Sequence, residues 1–107
     1  MSCNEEEAQR KALELVESGR DPDILVLLFM SFYDYVTLMD IRYALGGGKR
    51  FTSSTRALSA INALKQAGLV DELVFRTARR VVRLYRLNEC GKRVAEKLKY
   101  LIESPPE

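Results

Sequence analysis

The chain has 107 residues, 47% of them hydrophobic, with a net charge of +2, two cysteines and no histidine. That length predicts one small domain spanning 1–107, with a single core and no room for a deep catalytic cleft as well. The missing histidine removes the commonest general base and the commonest metal ligand.

Residues 4–18 are expected to form an N-terminal helix, since Ala8, Ala12, Leu15 and Val16 recur at helical spacing. Glu5, Glu6 and Glu7 suit its positive end, and Gly19 suits its C-terminal cap. Arg20-Asp21-Pro22 is a break, with Asp21 the expected N-cap of the next helix. Residues 24–32 are apolar nearly all round, so that helix is either central to the core or part of a dimer interface. Tyr33–Val36 fits a brief strand. Thr37 through Asp40 fits a capping box opening a third helix, with Leu38, Ile41 and Leu45 as its apolar stripe and Gly46-Gly47-Gly48 as its end. A fourth helix, 54–67, begins at Ser53 or Ser54 as N-cap, with Ala57, Leu58, Ile61 and Leu64 on one side. Residues 69–76 and 81–88 read as two strands. Thr77–Arg80 joins them without the Asn-Gly or Asp-Gly of a tight hairpin. A C-terminal helix, 91–103, carries Val94, Leu98, Leu101 and Ile102, and Ser104–Glu107 is a tail.

Charge is segregated along this order. Eleven of the seventeen Lys and Arg residues lie between Lys49 and Arg93, against three acids, Asp71, Glu72 and Glu89. The excess of eight positive charges there is offset by acidic flanks, and clustered cations are the footprint of a nucleic-acid site. From Leu69 to Gly91 the cations are five arginines and no lysine. Arginine favours phosphate because guanidinium binds it with two parallel hydrogen bonds. The opposing reading is a strand edge guarded by charge against aggregation.

Three stretches resemble winged-helix transcription regulators of the MarR and PadR type. Val36–Leu45 is similar to the first helix of a helix-turn-helix, Thr55–Val70 to a recognition helix and its exit, and Leu84–Val94, with Tyr85-Arg86-Leu87 before Gly91, to the end of a wing and the helix after it. The resemblance implies a mainly α fold with a small β-hairpin, ordered α-α-(β)-α-α-β-β-α. In it a winged helix-turn-helix core (24–90) is flanked by N- and C-terminal helices. One departure stands out: a helix-turn-helix turn usually has 3–4 residues, whereas Gly46–Thr52 is longer and carries two cations.

In such a fold one helix enters the major groove and the hairpin lies on the backbone or in the minor groove. Double-stranded DNA is therefore the expected partner and transcription regulation the expected role. The groove-facing candidates on 54–67 are Thr55, Arg56, Ser59 and Asn62. The phosphate candidates are Lys49, Arg50, Thr52, Ser53 and Ser54 at the helix entry and Arg76, Arg79, Arg80 and Arg83 on the wing, 76–83. The opposing reading of the helix residues is an ordinary solvated face. A homodimer through 24–32 and the terminal helices is a further expectation.

Other classes fit less well. Gly46–Lys49 is not a phosphate-binding loop, because Arg50 follows where Ser or Thr is needed and Tyr43 stands where glycine is needed. No enzyme activity, metal or other cofactor is expected. Two cysteines, with Cys3 in a frayed end, are expected to be free thiols in a reducing compartment. The acidic start is wrong in sign for a signal peptide, and no run of about 18 apolar residues is present, so the expected location is the cytoplasm, with no membrane span. Sparse Asn and Gln with abundant Lys, Arg and Glu is compatible with a thermophilic source. The rival function is a winged-helix protein–protein adaptor or RNA-binding module.

Overall fold

A computed structural model describes residues 3–103. The expected tail Ser104–Glu107 lies outside them, as do Met1 and Ser2. The described residues form five helices and one two-stranded antiparallel hairpin, and none of the helices is long and apolar enough to cross a membrane.

Helix α1 (Glu5–Ser18) starts at Asn4, whose side chain accepts from the Glu7 N–H at 2.8 Å, and ends at Gly19 with φ 70°. Its small residues Ala8 and Ala12 are fully buried, and α1 packs chiefly along α5 (Glu89–Glu103). The two helices are stapled: Cys3 is buried and disulfide-bonded to Cys90, 87 positions away. The expectation of two free thiols and a frayed Cys3 is therefore corrected. The packing of α1 on α5 brings together two sulfurs that spacing in the chain gave no reason to pair.

Helix α2 (Asp21–Met30) is the centre of the molecule, touching α1, α3 (Leu38–Leu45), α4 (Ser54–Gln66), α5 and the hairpin. Its all-round apolar character has that origin, although Leu25 keeps 45% of its surface exposed. Asp21 is the first helical residue rather than the cap. Arg20 holds the cap position, and no side chain closes it. Arg20 instead neutralises the buried Asp23 with two hydrogen bonds, at 2.7 and 3.3 Å. A lone buried carboxylate would cost several kcal/mol, and this pair offsets part of that penalty.

The brief strand expected at Tyr33–Val36 shrinks to one bridge, Val36 with Tyr85, closed by hydrogen bonds of 2.9 and 2.8 Å. Thr37 and Asp40 form the expected capping box of α3. Helix α4 buries Ala57, Ala60, Ile61 and Leu64. Leu58, expected inside, is 38% exposed, because Ala60 takes the core position on that turn.

Strand β1 (Val70–Arg76) pairs with β2 (Val81–Leu87) in the register Val70 opposite Leu87 and Arg76 opposite Val81. The connection at Thr77–Arg80 is a tight turn without glycine. Thr77 Oγ1 accepts from the N–H groups of Arg79 (3.3 Å) and Arg80 (3.0 Å), and Thr77 N–H donates to the Arg80 carbonyl at 2.9 Å. Asn88 accepts from the Gly91 N–H at 2.8 Å and so starts α5 at Glu89, just before Gly91. Gly91 has to be glycine, since a Cβ there would stand 2.2 Å from the Leu69 carbonyl oxygen. Val94, Ala95 and Leu98 face the core, whereas Leu101 and Ile102, expected on the same stripe, are 39% and 59% exposed. That stripe runs past the end of the core.

Candidate nucleic-acid interface

Helix α4 turns a small, polar face to solvent. Thr55, Arg56, Ser59, Asn62 and Gln66 are all exposed, as the 3.6-residue period requires once Ala57, Ala60, Ile61 and Leu64 are buried. The helix has no acidic residue in its first turn, so nothing of opposite charge offsets the positive end of its dipole there. Ser53 is the cap: its hydroxyl oxygen accepts from the Arg56 N–H at 3.2 Å, which leaves its O–H as a donor. Ser54 is exposed and has no such duty.

Ser59 is not a free hydroxyl. Arg20 Nη2 donates to its Oγ at 3.1 Å while also gripping Asp23. Arg20 thereby joins the edge of the α4 face from 39 positions away. No local pattern in the chain signalled it.

The hairpin divides its cations by strand alternation. Val70, Leu87 and Tyr85 are buried and define the inward face, which also carries Glu72, Arg83 and Arg76. Glu72 accepts from Lys65 of α4 at 2.8 Å and from Arg83 at 3.0 Å. These two hydrogen bonds, Lys65's the stronger, hold the Glu72 carboxyl below its ordinary pKa despite partial burial. Burial, with Glu72 beside it, pushes the Tyr85 phenol up. Arg83, expected on phosphate, thus has its charge offset within the fold, in a chain of ion pairs that ties the hairpin to α4. Arg86 projects from the outward face, where its Nη1 donates to the Tyr35 hydroxyl at 3.2 Å and its guanidinium lies 4.0 Å from Asp71.

Arg76, Arg79 and Arg80 are exposed and enter no ion pair among the described residues, and the same holds for Lys49, Arg50 and Arg56. The first three are grouped at the hairpin tip by the turn. Lys49 and Arg50 sit in the loop that enters α4. That loop is fastened rather than loose. Arg42 Nε donates to the Thr52 carbonyl at 2.7 Å, the Thr52 N–H donates back to the Arg42 carbonyl at 3.1 Å, and the Tyr43 and Phe51 rings meet at 5.1 Å. The Thr52 hydroxyl also donates to the Arg42 carbonyl, at 3.3 Å, which commits it to the loop itself.

Two features of the surface were not legible in the chain. The outward face of the hairpin is apolar, formed by Leu73, Phe75, Val82 and Leu84 between the Asp71–Arg86 pair and the tip, with Phe75 51% exposed. A cleft of about 520 Å³ lies between the end of α2, β2 and α5. It is lined by Phe32, Tyr35, Arg86, Lys92 and Lys99 among others and by none of the expected site residues. No group of His, Cys, Asp and Glu suited to a metal occurs among the described residues.

Comparison with known protein families, curated proteins and solved structures finds no match to this chain.

Proposed function

We propose that the chain is a winged-helix protein that binds double-stranded DNA with sequence preference and acts as a transcription regulator. In this reading α4 enters the major groove and the hairpin tip lies on the backbone or in the minor groove. The observation that carries it is the pairing of two surfaces on consecutive elements: an exposed α4 face without acids, and a hairpin tip holding three arginines with no ion-pair partner among the described residues. Small side chains allow close approach to base edges. Arg56 has the donors to take guanine and Asn62 the donor and acceptor to take adenine. Arg76, Arg79 and Arg80, with Lys49 and Arg50 at the helix entry, supply the sequence-independent attraction to phosphate. Ser53 caps the helix and keeps its O–H for phosphate, Arg83 drops to a supporting role, and Arg20 is added beside Ser59.

Selection of binding sites from random duplexes with purified protein tests this directly. Recovery of a defined site, bound with an affinity that falls steeply with salt, is the expected result. A titration with no salt-dependent affinity for any duplex removes the reading. A symmetric selected site would also support the homodimer through the exposed flank of α2 and the terminal helices, whereas light scattering at the monomer mass of 12.2 kDa would reject that dimer.

One observation favours the adaptor reading. The apolar outward face of the hairpin is suited to a protein partner and unsuited to phosphate. Loss of a co-purifying partner on Phe75→Ser, with DNA affinity unchanged, would support it.

A further inference from the structure

We infer that the loop between α3 and α4 is a stacking platform for an unpaired nucleobase, so that the preferred ligand is duplex DNA interrupted by a short unpaired stretch. The inference rests on the reading of α4 and the hairpin tip as a duplex-binding surface and adds a second contact to it.

Phe51 and Tyr43 carry the inference. Their rings pack against each other with centroids 5.1 Å apart, yet 51% of Phe51 and 43% of Tyr43 face solvent. Two touching aromatic rings at the surface, beside cations unpaired among the described residues, offer an apolar face on which a flat ligand can stack. The rings are held in place. A Cβ on Gly46 would fall 1.9 Å from the Arg50 carbonyl oxygen, so the chain folds back tightly there only because position 46 is glycine. The reciprocal hydrogen bonds between Arg42 and Thr52 then fix Phe51 against the end of α3, with the Arg42 guanidinium 5.9 Å from the ring centre.

The electrostatics select the partner. From Ile41 to Val70 the chain contains no acidic residue, and Lys49 and Arg50, immediately before Phe51, are exposed without an ion pair among the described residues. A nucleic-acid strand supplies both complements, a flat base for the rings and a phosphate for the cations. An acidic peptide without aromatic side chains supplies only the charge. The loop leads straight into the N-terminus of α4, so a base displaced from the duplex beside α4 has a short path to Phe51.

Fluorescence anisotropy with three labelled DNAs tests this: a fully paired duplex, the same duplex with a three-nucleotide bubble, and one strand alone. A 2-aminopurine in the bubble reports stacking. The expected result is about tenfold tighter binding to the bubble than to the paired duplex, with the 2-aminopurine quenched on binding. Phe51→Leu, which keeps an apolar side chain on an exposed site, is expected to erase that ratio and the quenching while leaving paired-duplex affinity within about twofold. Equal wild-type affinity for bubble and paired duplex overturns the inference alone, as does Phe51→Leu weakening both alike. Binding to no DNA overturns the duplex reading and this inference together. Binding to the single strand only sinks the duplex reading and, with it, the interrupted duplex as the preferred ligand.

Discussion

The terminal layer and the central basic half of this molecule treat charge in opposite ways. In the terminal layer, α1 and α5 are joined by the Cys3–Cys90 disulfide, and Glu5 at the start of α1 takes both Arg93 (3.2 Å) and Lys97 (2.6 Å) of α5. The charge of Glu5 is there met by two cations across the helix pair. In the central half, Lys65, Arg83 and Arg86 are in ion pairs, while Lys49, Arg50, Arg56, Arg76, Arg79 and Arg80 have none among the described residues. A basic run in the chain is therefore not one surface. Part of it holds the hairpin to α4, and the remainder is left available at the α4 entry and the hairpin tip.

The sharpest separation of the two halves is through the disulfide. Closing a loop across 87 positions stabilises a fold by about 4 kcal/mol, mainly by restricting the unfolded chain. Replacing Cys3 and Cys90 with Ala should lower Tm by about 15 °C or more, measured by calorimetry. Duplex affinity at a temperature where the variant is folded should not change. If affinity falls with stability, the two halves are not independent.

Arg79→Ala with Arg80→Ala should act in the reverse sense. Melting should be unmoved, because the turn is closed by Thr77 and not by the guanidinium groups. Duplex affinity at moderate salt should drop roughly tenfold or more on all sequences alike, and the salt slope should fall by about 2. Unchanged slopes would remove the tip from the interface.

Glu72→Gln tests the link between the halves. Glu72 has a folded pKa below its unfolded value, because Lys65 and Arg83 hydrogen-bond its charged form. Its stabilisation is complete above the ordinary carboxylate range and is lost as pH falls through the lowered folded value. The variant should be less stable by roughly 1 kcal/mol at neutral pH, and the difference from wild type should close in acid, as read from melts across that range. It should also bind duplex more tightly at low salt, since two cations beside α4 lose their acid. Destabilisation without tighter binding would place Lys65 and Arg83 away from the DNA.

Arg56→Ala should have the smallest effect on stability and a selective effect on binding. An interaction with one base is worth about 1–3 kcal/mol of discrimination, so preference at one position of a selected site should relax while nonspecific affinity changes little.

The sequence by itself determined what depends on neighbours within a turn or two. The Thr37–Asp40 capping box and the Gly46–Gly48 helix end are set by backbone groups only a few residues away and appear where the pattern placed them, and the cap of α4 falls on Ser53, one of the two serines the pattern offered. Tertiary structure decided what depends on which face meets which. It brought Cys3 to Cys90, laid Arg20 on Ser59, gave Glu72 both Lys65 and Arg83, and turned an apolar hairpin face outward. Contacts between residues tens of positions apart leave no period or spacing in the chain. They arise only when packing around α2 has chosen one orientation for every element.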